Sequence, residues 1–246
     1  MKPRKQVKPK AGSDFERFVK SLGVHNPPDT GTRPLNKREF RRIENSPELL
    51  KTHYNAFASN YARSLYSRFL RVEEHELKII SSKVEFRPDE RIVSVGSGPA
   101  IKDAFIAKQL VKDGRITCID FAHNMGREAK KTAEKAGVAN LSVVTGDASK
   151  LPLASGSQDK VMALQTNIPN TVSWVPFLKE ARRVLKKTPN SRLVLTFISD
   201  NKAETRRALD VLKASGFIAV DAIKYAQAGS QEAVLLVAKP RLAAYY

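Results

Sequence analysis

The rhythm of apolar positions changes near residue 88, and the change divides the chain. From 47 to 84, Leu49, Leu50, Tyr54, Phe57, Tyr61, Leu65, Phe69 and Val72 recur at steps of three and four, the period that returns side chains to one helix face. One or two helices are expected there. Upstream, Phe15, Phe18, Val19 and Leu22 predict a short helix over 15–23, followed by the turn-rich Asn26-Pro27-Pro28-Asp29-Thr30-Gly31. After Pro88, short β-branched runs alternate with helical stretches, the pattern of βαβ units around a parallel sheet.

Strands are predicted over 91–95, 115–119, 141–145, 160–164, 192–198, 218–225 and 233–238, and helices over 101–112, 123–136, 175–186 and 203–215. Gln227-Ala228-Gly229-Ser230-Gln231 joins the last two strands without room for a helix, so they should pair as an antiparallel hairpin. The expected fold is α/β: a Rossmann-like, doubly wound, seven-stranded and mostly parallel sheet with a C-terminal antiparallel hairpin. A basic N-terminal arm and linker over 1–46 and a helical cap over 47–84 would precede the main domain at 85–240.

Composition narrows the class. The longest apolar runs, at 193–198 and 233–238, are strand-length and far short of the roughly 20 residues a membrane span needs. Cys118 is the single cysteine and lies in an apolar run, so no internal disulfide or cysteine-cluster metal site can form; a reducing, cytoplasmic setting is expected. His25, His53, His75 and His123 are isolated, and no metal site is expected from them.

Charge adds a candidate partner. The chain carries 43 Lys and Arg against 25 Asp and Glu, a formal +18, which favours polyanions such as RNA. Lys2, Arg4, Lys5, Lys8 and Lys10 crowd the first ten residues, and Arg33, Lys37, Arg38, Arg41 and Arg42 form a second cluster suited to one helix. RNA contact through these residues stands against the plainer reading of a generally basic surface.

Candidate chemistry gathers at three consecutive strand ends. Val93-Ser94-Val95-Gly96-Ser97-Gly98-Pro99-Ala100 lies between a strand and a helix, where glycines let the backbone approach a nucleotide-like ligand. The third glycine of the dinucleotide fingerprint is missing, with Ile101 in its place. Asp120 closes the second strand about 20 residues on, where a carboxylate can accept both ribose hydroxyls, and Phe121 offers an apolar face for an adenine. Gly146-Asp147-Ala148 closes the third strand, which would bring Asp147 to the same edge of the sheet.

With these elements the chain resembles the class I S-adenosylmethionine-dependent methyltransferases, particularly the group of ubiquinone- and menaquinone-biosynthesis-type enzymes. The resemblance spans roughly 50–239 and includes His53-Tyr54-Asn55-Ala56-Phe57-Ala58-Ser59-Asn60-Tyr61, similar to the aromatic lead-in helix of many members. It implies that Gly96, Ser97 and Gly98 hold the methionine part of S-adenosylmethionine, Asp120 its ribose, Phe121 an adenine face, and Asp147 with Ala148 the adenine edge. Gln165 would adjoin the cofactor at the end of the fourth strand, and Tyr54, Tyr61, Gln165, Thr166 and Asn167 would line the acceptor pocket. The sequence departs from the family at Ser94, where an acid is usual, and at Ala100, where the third glycine is usual.

Methyl transfer from a sulfonium is an in-line displacement, so holding two reactants aligned supplies much of the rate and no general base is obligatory. Asn167-Ile168-Pro169-Asn170 does not match the Asn-Pro-Pro-aromatic signature of enzymes that methylate exocyclic amines of bases. The expectation is a methyltransferase acting on RNA or an RNA-associated protein. A small-molecule or quinone-type enzyme and a non-catalytic RNA or ribosome-assembly factor of the same fold are the alternatives. An NAD-dependent oxidoreductase is disfavoured by Asp147, the terminal hairpin and the missing glycine.

Overall fold

The computed structural model describes residues 11–23, 35, 37–166, 174–199, 202–226 and 232–241. The arm at 1–10, the turn-rich 26–31, Arg33, Asn167 and the segment 227–231 lie outside the described residues.

Two helices precede a long one: α1 (Ala11–Ser21), α2 (Lys37–Ile43) and α3 (Pro47–Lys83). The start of α3 is encoded locally: Ser46 is extended and its side chain accepts the Leu49 N–H, and Pro47 occupies the first turn, where a missing N–H costs nothing. The stretch read as one or two helices is one continuous helix of 37 residues. Its low amphipathicity reflects two different jobs, with an aromatic face in the first half and buried carboxylates in the second.

The sheet contains β1 (Arg91–Val95), β2 (Arg115–Asp120), β3 (Leu141–Thr145), β4 (Lys160–Leu164), β5 (Arg192–Ser199), β6 (Phe217–Ala226) and β7 (Glu232–Pro240) in the order β3-β2-β1-β4-β5-β7-β6. β1 to β5 pair in parallel, and β7 runs antiparallel to both β5 and β6. All seven predicted strands are present, with ends extended by up to two residues. β1 and β4 are direct neighbours, so the crevice between them is the topological switch point at which such sheets bind ligands.

Four helices cross the sheet: α4 (Ile101–Gln109), α5 (His123–Ala136), α6 (Trp174–Val184) and α7 (Lys202–Ala214). α4 is shorter than the expected 101–112. Leu110 and Val111 both donate to the Ile106 carbonyl, which closes the helix before Gly114 turns into β2. α1, placed by sequence within the arm and linker, packs into the main core: Phe15 and Phe18 meet the Phe105 ring edge-on at 5.1 and 5.5 Å. No helix among the described residues is long and apolar enough to cross a membrane.

Candidate functional site

The turn after β1 is shaped by close approach. Gly96 has φ +64°, where any other residue is strained, and a Cβ built there would stand 2.6 Å from Thr166 Cγ2 and displace that side chain. Its N–H donates to the Ile119 carbonyl, which ties the turn to β2. Ala100, just before α4, is also left-handed at φ 54° and fully buried. An alanine thus adopts there the conformation that glycine favours.

Asp120 ends β2 with its side chain turned back under this turn. Its two oxygens accept one backbone N–H each, from Gly98 and from Ala122, both at 2.9 Å. Burial raises this carboxyl to about 6, with the Ala122 and Gly98 N–H groups pulling the other way. A carboxylate offers about four lone-pair sites. Two are used here, so two remain for a pair of hydroxyls.

In front of Asp120 opens a cavity of about 400 Å³, within the range of small-ligand sites. Its walls bring together most of the residues singled out by sequence: Gly96, Gly98, Asp120, Phe121, Asp147, Ala148, Gln165 and Thr166, with Tyr54 and Tyr61 from α3. Ser97 lines a smaller neighbouring space instead, and Asn167 lies outside the described residues. The exposed Asp147 accepts the Ser149 N–H at 2.8 Å, a local turn that fixes its carboxylate at the rim.

The helix read as an aromatic lead-in covers this cavity. Tyr54 packs edge-on against Tyr61 and Phe121, while Phe57 meets both His53 and Tyr61. Asn55 anchors it: its side-chain oxygen accepts the Asn124 N–H at 2.9 Å, capping α5, whose own N-cap Ala122 has no side chain to do so. Burial, reinforced by the nearby Tyr54, Glu73 and Asp120, pushes the Tyr61 hydroxyl far above its ordinary value. Tyr61 is therefore a neutral hydrogen-bonding group at physiological pH.

Sequence reading missed a buried polar cluster behind the turn. Lys102 of α4 contacts Glu73 at 2.8 Å and Glu76 at 2.5 Å, both from α3. Glu76 also accepts from Gln165 at 3.1 Å and from the Tyr225 hydroxyl at 2.9 Å. Gln165 has φ 51°, and this left-handed turn at the end of β4 accompanies its reach to Glu76. Burial raises the Glu73 carboxyl against the pull of Lys102. The neighbouring Asp103 is buried as well, and burial raises it despite a hydrogen bond from Ser94.

Residues 92–188 match the family model described as a methyltransferase domain. A demethylmenaquinone methyltransferase of Listeria welshimeri is 27% identical over 95 residues, covering 39% of this chain and 40% of that one. The chain thus spans about two fifths of the length of that curated relative.

One chain of the complex between the Haloferax volcanii Trm112 methyltransferase activator and its methyltransferase superposes with TM-score 0.64 at 15% identity, over 77% of this chain and 98% of that one. An S-adenosylmethionine-dependent methyltransferase of Aquifex aeolicus superposes with TM-score 0.56 at 16% identity, over 83% and 99%. At such identities the likeness is one of fold.

Proposed function

We propose that the chain, whose residues 92–188 match a methyltransferase-domain model, is a class I S-adenosylmethionine-dependent methyltransferase that uses this cofactor to methylate an acceptor admitted beside α2 and α3. Asp120 is the observation that carries this reading: a buried carboxylate at the switch point with two lone-pair sites left for a ribose. The residues suit the cofactor. Gly96 forms a cradle that a Cβ would fill, Phe121 and Met125 give the cavity an apolar wall for an adenine, and Asp147 stands at its rim for the exocyclic amine.

When bound, the cofactor supplies an electrophilic methyl on a sulfonium. The chain's own part is alignment: Gly96 and Gly98 seat the methionine end, while Tyr54, Tyr61, Gln165 and Thr166 position the acceptor and limit water. Tyr61 contributes as a neutral donor or acceptor. The reading assigns no general base.

RNA or an RNA-associated protein is the acceptor class favoured by charge. The net charge is +18, and α2, with exposed Arg38 and Arg42, packs on α3 ahead of the cavity-lining Glu44, Glu48 and Lys51. A quinone-type acceptor is the second reading, supported by the Tyr54–Phe57–Tyr61 aromatic cluster and by the Listeria relative's name.

The test is calorimetric titration with S-adenosylmethionine, S-adenosylhomocysteine and NAD, followed by radiolabelled methyl transfer to total RNA and to a demethylated quinone. Saturable binding of the first two ligands only, with label in RNA that falls steeply as salt rises, is expected. Label in the quinone alone would move the assignment to the second reading. NAD binding in their place would end both.

A further inference from the structure

The family resemblance leaves a gap at Ser94, where related enzymes carry an acid before the glycine turn. The structure shows what stands behind that gap. A small space of about 40 Å³ lies under the turn, and it shares Tyr61, Gly96, Gly98 and Gln165 with the walls of the main cavity. It is an annex of the cofactor site rather than a separate pocket. Ser94 closes it from β1, and Asp103, in the first turn of α4, closes it from the other side.

Asp103 is 4% exposed, and its Oδ1 has no hydrogen-bond partner among the described residues. A buried carboxylate oxygen left unpartnered is costly, and a native fold retains one where a ligand, an ion or an ordered water completes it. Ser94 lines the same annex and its hydroxyl favours the ionised form of this carboxyl group, so the residue in the acid's usual place stands beside the displaced acid. Next to it, Glu73 and Glu76 share one lysine, Lys102. Among the described residues, three carboxylates thus face a single cation. The annex is suited to a positive group, and 40 Å³ is room for one of ammonium size, since about 10–15 Å³ of such space is enough for a water.

We propose that Asp103 is the cofactor-binding acid of this chain, its Oδ1 accepting the α-ammonium of S-adenosylmethionine in place of an acid at position 94. The inference rests on the methyltransferase reading and deepens it. The acid has moved from β1 to the facing turn of α4 and reaches the same space from behind. Ser94 becomes a positioning residue, beside Asp103 on the wall of the same annex.

The test is calorimetric, on the full chain, with S-adenosylmethionine and with 5′-methylthioadenosine, which keeps the adenosine but lacks the amino-acid end. Asp103→Asn preserves shape and removes the charge. It should weaken S-adenosylmethionine by about 10- to 100-fold, the worth of a charge-assisted hydrogen bond, and leave 5′-methylthioadenosine within about twofold. Equal losses for both ligands, or no loss for either, overturns the role of Asp103 while the methyltransferase reading stands. Wild-type protein that binds neither ligand overturns that reading and this inference with it.

A second measurement needs no variant. An S-adenosylhomocysteine analogue lacking only the α-amino group should bind the wild type at least about 10-fold more weakly than S-adenosylhomocysteine itself. Equal binding overturns the proposal.

Discussion

Both ends of the sheet bury charge, yet they do so differently. At the amino-terminal edge, Glu90 and Lys160 are 2% or less exposed and form an ion pair, and Glu90 also accepts from the Arg87 side chain and N–H at 3.2 Å. Beside them Asp159 accepts from Lys186 at 2.7 and 2.8 Å and from the Arg91 N–H at 2.9 Å. Two acids meet three cations there. At the carboxyl-terminal edge, among the described residues, Glu73, Glu76 and Asp103 meet Lys102 alone, and one oxygen of Asp103 has no partner. Balanced buried charge holds strands in place, whereas unbalanced buried charge is what a cationic ligand would complete.

The largest expected effect breaks the balanced edge. Lys160→Met leaves the Glu90 carboxylate buried with Arg87 as its remaining cation, and should destabilise the fold by about 3 kcal/mol, the lower end for a severed buried pair. Glu90→Leu combined with Lys160→Met should recover most of that loss in urea unfolding. The single variant, once folded, should bind S-adenosylmethionine as the wild type does. A loss of binding would mean that the two edges are coupled and that the contrast between them is false.

Acid should act on the edges with opposite sign. Asp120 is harder to ionise folded than unfolded, rising from 3.8 to about 6, so the folded state holds the extra proton between about pH 4 and 6. Its contribution to stability is greatest below about pH 4, falls as pH rises to 6, and is then about 3 kcal/mol lower. Asp159 behaves in reverse. Burial works against its ionisation, but the Lys186 hydrogen bonds, the Arg91 N–H and the charges of Lys186 and Lys160 outweigh it and lower the carboxyl. Its stabilisation is present above its unfolded value and is lost as pH falls through its folded one. Stability–pH profiles of Asp120→Ala and Asp159→Ala, each subtracted from wild type, should slope in opposite directions; parallel slopes would sink the contrast.

These carboxylates also mark how far the sequence could be read. Asp120 and Asp147 were legible because a parallel sheet puts the residue after each strand at one edge, and the strands announced themselves by β-branched runs. The Glu73–Glu76–Lys102–Asp103 cluster was not. Arg71-Val72-Glu73-Glu74-His75-Glu76 reads as a solvated helix face, and the Lys102-Asp103 pair looks like the polar side of a short helix. They meet because Lys102, at the start of α4, reaches Glu73 and Glu76 of α3, a contact between segments some 26 residues apart that no local period contains. The single long α3 was obscured for the same reason, since its two halves bury different chemistry. Ser94 was the one visible hint, an absence of charge at a position where the family has it.

Asp120→Ala probes the ligand side of the comparison. It removes the acceptor for two ribose hydroxyls and should weaken S-adenosylmethionine and S-adenosylhomocysteine alike by about 100-fold, near 2.7 kcal/mol. The same change strips partners from the Gly98 and Ala122 N–H groups, so a drop in melting temperature should accompany it. Unchanged affinity would move the ribose elsewhere. Unlike Asp103→Asn, this variant should also lose 5′-methylthioadenosine, and that difference separates the ribose end of the site from the ammonium end.

The smallest effect is expected at Ala100, and its size is informative because three comparable terms oppose one another. Relieving a left-handed alanine at φ 54° by Ala100→Gly should return about 1–2 kcal/mol. Removing a fully buried methyl costs about 0.8 kcal/mol, and the greater freedom of glycine in the unfolded chain costs a further 0.5–1 kcal/mol. The sum lies within about 0.8 kcal/mol of zero, a shift of no more than about 3 °C in melting temperature for a domain of this size. A near-neutral result would explain how the turn departs from the family's glycine without weakening the fold. A gain beyond about 2 kcal/mol, read in the same melts, would instead mean that strain is stored beside the annex, where binding at Asp103 could draw on it.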